Sequence, residues 1–170
     1  MILFLALLDA LSEWVIKHNE KCRPQDLTSF LMTLAHTGYQ PPNMEQAVTT
    51  VLARLSGPND APSPSVWLDT VWALTVLGHL QPALAASVLD PDFKRQMLDL
   101  DQLGPPAIMK LLNVDSAARL EVPKYQGPSL NMDLLQFTPR IPKSKQQMVG
   151  LHRSIITMHK VYSNYIIEAA

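Results

Sequence analysis

Two stretches of this chain match at a constant offset of forty residues. Pro24–Pro42 reads PQDLTSFLMTLAHTGYQPP, and Pro64–Pro82 reads PSVWLDTVWALTVLGHLQP. Pro24 aligns with Pro64, Leu31 with Val71, Met32 with Trp72, Leu34 with Leu74, Gly38 with Gly78 and Pro42 with Pro82. Each copy places a proline where a helix can begin, a glycine where it can close and a proline just beyond. An apolar helix pattern follows each copy, over Met44–Leu55 and Ala83–Leu98. A helix pair recurring at this period predicts an all-α fold of helical-hairpin repeats, α-solenoid-like. Such a fold presents an extended binding surface in place of one catalytic pocket.

Composition allows this and narrows the function. In 170 residues, 47% are hydrophobic, enough for a core, and only 17% are charged, with net charge −1. No global basic excess marks nucleic acid, so any such site must be local. The single cysteine, Cys22, excludes an internal disulfide and a multi-cysteine zinc site. Met1–Leu8 lacks a basic flank, and Asp9 interrupts its apolar run early, so it reads as the start of a buried helix over Ile2–His18 and not as a signal peptide. No apolar run reaches the ~20 residues that span a membrane, so membrane insertion is not expected. The chain starts inside a helix pattern and stops at Ile166–Ala170 without a cap, as a fragment or short isoform would.

Along the chain, Leu27, Phe30, Leu31 and Leu34 form one helical stripe, and Trp67, Val71, Leu74 and Leu77 or Gly78 form its counterpart. Ser56–Pro64 is a loop by composition. Asp90-Pro91-Asp92 breaks the helix pattern after the second copy, because proline restricts the residue before it. A further helix runs from about Pro105 to Leu120, and Gln126–Pro142 reads as an extended linker. A last helix is expected from Lys143 to Ala169. Its Met148, Leu151, Ile155, Met158, Tyr162 and Tyr165 share one side, while Lys145, His152, Arg153, His159 and Lys160 share the other. From Arg140 onward five Lys or Arg stand against Glu168 alone. Between Asp60 and Asp101 six acids stand against Lys94 and Arg95.

Catalytic constellations are missing. His152 and His159 lie seven residues apart, roughly 10.5 Å along a helix axis, too far for one metal ion. His36 and His79 sit near helix C-termini, where the macrodipole favours them. Asp90, Asp92, Asp99 and Asp101 read as a solvated loop and helix flank. The six glycines are too dispersed for a phosphate loop, and the kinase set of glycine loop, His-Arg-Asp and Asp-Phe-Gly is absent. Phe30, Trp67 and Trp72 read as core aromatics, with base stacking as the alternative.

Four elements in order carry a resemblance. They are Val71-Trp72-Ala73-Leu74-Thr75-Val76-Leu77, Val88-Leu89-Asp90-Pro91-Asp92-Phe93, Lys110-Leu111-Leu112-Asn113 and Pro123-Lys124-Tyr125-Gln126-Gly127-Pro128. In this order the chain resembles the FAST kinase domain-containing proteins. Two details depart from that family's pattern: Lys124 replaces the usual acid, and Asn113 follows Leu112 with one spacer residue missing. The resemblance implies helical repeats over residues 1–61, a FAST subdomain 1-like region over 62–128, a linker over 129–142 and the start of a subdomain 2-like region over 143–170. The family's C-terminal RAP domain is not in this sequence.

The resemblance further implies a mitochondrial RNA-binding protein acting in RNA stability, processing or translation. Lys143, Lys145, Arg153 and Lys160 are the first candidates for phosphate contact, with Lys124 and Arg140 behind them. The expected partner is mitochondrial RNA, with possible protein partners. No cofactor, metal or catalytic residue is expected. The alternative is a helical protein–protein interaction scaffold whose groove binds a partner helix. The purified chain is accordingly expected neither to transfer phosphate from ATP nor to bind it tightly. A radiolabelled-ATP assay showing robust, mutation-sensitive phosphorylation would overturn this.

Overall fold

The computed structural model describes residues 2–130. Among them are seven α-helices and no strand: α1 Ile2–His18, α2 Pro24–Thr37, α3 Met44–Arg54, α4 Pro64–Val76, α5 Pro82–Leu89, α6 Pro91–Asp99 and α7 Pro105–Glu121. Proline opens α2, α4 and α7, where its missing N–H costs no intrahelical bond. Glycine closes the first two. Gly38 and Gly78 take φ of 60° and 77°. Tyr39 N–H then reaches back to Leu34 O, and His79 N–H to Leu74 O. These left-handed caps satisfy carbonyls that each helix end would otherwise leave bare.

The repeat has three copies in space. Helix α7, which the sequence shows only as a further helix, keeps the same forty-residue offset. Leu31, Val71 and Leu111 are all buried, and so are Leu34, Leu74 and Val114. Helices α2, α4 and α7 lie side by side in that order. The copy was hidden because its end marker changed. Ala118 stands where Gly38 and Gly78 stand, and α7 runs on to Glu121.

A second layer backs this row. Helix α1 packs on α3, and α5 packs on α4 and α7. The indole N–H of the fully buried Trp67 donates to Ser87 Oγ of α5 at 2.9 Å. The expected break falls at Asp90, whose carboxylate accepts Asp92 N–H at 2.7 Å and caps α6.

Helix α1 departs from expectation. It forms over the expected residues, but it is not a buried helix. Leu8 and Val15 face the core, while Phe4, Leu7 and Trp14 stay 48%, 63% and 49% exposed. An all-round apolar composition does not say how many sides find a neighbour. Residues 126–130, the described part of the expected extended linker, have no regular structure but are tied down at Leu130. Leu130 is buried, and its N–H donates to the Asp115 carboxylate at 3.0 Å. The rest of that linker and the expected helix over Lys143–Ala169 lie outside the described residues.

If the three copies are equivalent, Leu34→Ala and Leu74→Ala should each destabilise by about 2–5 kcal/mol through lost burial and a cavity, and Val114→Ala, at the matching position of α7, by less, in keeping with its smaller side chain. Thermal or urea unfolding checks this. A negligible loss at any one of them would remove that copy from the repeat.

Candidate functional site

The outward rows of α2 and α4 enclose an open groove of about 550 Å³. Helix α2 contributes Gln25, Ser29, Met32, Thr33 and His36, and α4 contributes Val66 and Asp69. Thr28 and Thr70 meet at its base, their hydroxyls 2.8 Å apart and buried. Trp72, one turn beyond Asp69, is half-buried at the edge. The His36 ring lies 5.4 Å from the Trp72 ring, tilted 53°.

Helix α7 reaches Asp69 of the groove with one residue. Lys110 Nζ bonds Asp69 Oδ1 and sits 5.6 Å from the Trp72 ring centroid, within cation–π range. The lysine and aspartate side chains keep 22% and 33% of their surface. Lys110, Asp69, Trp72 and His36 thus form one chain of contacts across α7, α4 and α2.

The wall is rich in acceptors. Thr33 donates its hydroxyl proton to Ser29 O at 2.8 Å, and Thr37 donates to Thr33 O at 2.9 Å. Their oxygens retain acceptor capacity. His36 Nδ1 lies 2.6 Å from Met32 O. A carbonyl only accepts, so Nδ1 carries the proton and Nε2 of the neutral ring is an acceptor. Asp69 Oδ2 carries no hydrogen bond among the described residues. Against these stand the Gln25 amide, the Ser29 hydroxyl and the Lys110 ammonium as donors.

Of the cations singled out in the sequence as phosphate contacts, Lys124 is the one among the described residues. Lys124 stands exposed in the turn after α7 with φ of 55°, and nothing joins it to the groove. Arg140, Lys143, Lys145, Arg153 and Lys160 lie outside the described residues. Phe30 and Trp67 are core residues, buried to 4% and 0% exposure. Trp72 is the member of that trio with a polar neighbourhood. Sequence spacing could not find this site, since Asp69 and Lys110 are 41 positions apart.

Charge divides unevenly along the chain. Residues 1–130 hold nine Lys or Arg against thirteen Asp or Glu, net −4, and residues 131–170 hold five against two, net +3. Several of the nine cations are already engaged. Arg23 pairs with Asp26, Arg95 with Asp92, Lys110 with Asp69 and Arg119 with the buried Asp115. Lys94 is itself buried, and desolvation pushes its ammonium below the usual range, against the pull of Asp115 and Asp90. Among the described residues no group of His, Cys, Asp and Glu is placed to hold a metal ion. No helix there is long and apolar enough to cross a membrane.

Comparison with known proteins gives one consistent picture. The family described as FAST kinase-like protein, subdomain 1, matches residues 27–98. FAST kinase domain-containing protein 4 of Homo sapiens is 31% identical over 129 residues, covering 75% of this chain and 20% of that protein. The Rattus norvegicus protein of the same name is 27% identical over 152 residues, covering 89% of this chain and 24% of its own length. The Mus musculus one is 27% identical over 153 residues, with the same two coverages of 89% and 24%. This chain therefore spans about a fifth to a quarter of the length of the curated relatives it matches. No solved structure matches it.

Proposed function

Since this chain belongs to the FAST kinase-like family, we propose that it is a non-catalytic segment of a mitochondrial RNA-binding protein acting in RNA stability, processing or translation. The observation that carries this is the division of charge. Phosphate contact needs cations free to neutralise it. The helical body is net acidic and holds several of its own cations in ion pairs. The residues from Arg140 on are net basic. The body acts as a platform, and Lys143, Lys145, Arg153 and Lys160 carry the phosphate contacts, with Arg140 and the exposed Lys124 at their margin.

The non-catalytic reading is supported by the lack of a kinase glycine loop, His-Arg-Asp and Asp-Phe-Gly set in the sequence. The family name includes the word kinase, but a kinase needs a glycine loop over the phosphates and carboxylates for magnesium. The matched stretch, residues 27–98, is helices and their connections.

A second reading, a protein-interaction scaffold, is favoured by the groove itself. Its wall of acceptors repels a phosphate backbone and suits donors.

Replacing Lys145, Arg153 and Lys160 together with glutamine should flatten the log–log dependence of RNA affinity on salt by roughly 2 units, at about 0.7 per lost contact to a single strand. Thermal stability should change little. Titration of labelled single-stranded RNA at several salt concentrations measures the slope. An unchanged affinity and slope would remove this segment as the RNA site.

A further inference from the structure

We propose that the groove between α2 and α4 docks an arginine of a partner protein, whose guanidinium takes Asp69 and Trp72 over from Lys110. This deepens the scaffold reading and rests on it. It does not depend on the RNA reading.

Three observations converge. First, most of the open polar atoms are acceptors: Thr33 Oγ1, Thr37 Oγ1, the His36 Nε2 and the second oxygen of Asp69, against the Gln25 amide and the Ser29 hydroxyl, which can also donate. A ligand that satisfies the acceptors of this wall must be rich in donors. Guanidinium has five N–H donors and no acceptor. Second, the apolar surfaces match the rest of an arginine. Met32 and Val66 border the groove and suit the aliphatic stem, while the Trp72 indole offers a face to a planar cation. Third, the site already holds a cation. Lys110 meets Asp69 and Trp72 at once, so the chain displays what the pair binds.

Lys110 is also easy to displace. Its ion pair keeps a quarter or so of its surface in water, so an incoming cation can reach the carboxylate from the open side. An arginine has more to offer than the lysine it replaces. Its fork engages a carboxylate through two parallel bonds, and its plane stacks on an indole. The net charge of −4 over residues 1–130 attracts a basic segment and repels a polyanion. That balance favours protein over nucleic acid at this face.

The test uses the full 170-residue chain and a fluorescein-labelled alanine-rich peptide with arginines four residues apart. A citrulline twin keeps the shape and loses the charge, and a lysine twin keeps the charge and loses the fork. Fluorescence anisotropy should rank arginine above lysine and both above citrulline. Asp69→Asn should weaken the arginine peptide about fivefold, the upper end for one partly exposed ion pair. Lys110→Gln should strengthen it by a few-fold, because the internal competitor is gone. Opposite effects of these two substitutions cannot come from misfolding, which weakens both. Equal binding of the citrulline twin, or no loss with Asp69→Asn, would overturn the proposal. So would a single-stranded RNA that displaces the peptide and is itself weakened by Asp69→Asn. Failure here leaves the salt slope of the full chain untouched. A failure of the RNA reading appears in that slope and not in the peptide ranking.

Discussion

Helix α4 has little surface of its own. Trp67, Leu68, Thr70, Val71, Ala73 and Leu74 are all at or near zero exposure, because α2 lies along one side, α7 along the other and α5 behind. Burying each large apolar side chain is worth about 1.5–3 kcal/mol, so this one helix anchors three others. Its polar groups are satisfied within the same packing. Thr70 meets Thr28 of α2, and the Trp67 indole meets Ser87 of α5. What remains to solvent on α4 is a narrow strip through Asp69 and Trp72. Any chemistry on this face must therefore be shared with the neighbouring helices.

That sharing explains why the site is an assembly of single residues. Asp69 comes from α4, His36 from α2 and Lys110 from α7. The three come from different positions of the repeat and meet because the helices lie side by side. The result is a partly exposed ion pair beside an indole. A pair in that position is weak enough to exchange partners. Burial would have made it costly to break, as with Asp115 and Arg119, which together with Leu130 pin the following chain to α7.

Much of the helical framework was readable from residue type. Pro24, Pro64, Gly38, Gly78 and the break at Asp90-Pro91 act through local backbone geometry, which needs no tertiary contact. The third copy escaped because it keeps the buried positions and drops the glycine. Leu111 and Val114 match Leu31 and Leu34 in role, but Ala118 does not end a helix. The exposure of Phe4 and Leu7 escaped too, since it depends on how many neighbours α1 has. The groove was illegible for a further reason. Hydroxyl protons committed to carbonyls four residues back turn Thr33 and Thr37 into acceptors, and only the folded helix reveals that.

Native-state hydrogen exchange of the full chain tests the central claim, that α4 is the element the others depend on. Exchange free energies rise from near zero at frayed ends to the global value in the core. The account predicts that amides of Leu68–Leu74 exchange most slowly and only through global unfolding. Those of α1 should open well before them, since Phe4, Leu7 and Trp14 face solvent. Exchange from α4 as fast as from α1, or through a local opening that leaves α2 and α7 protected, would contradict it.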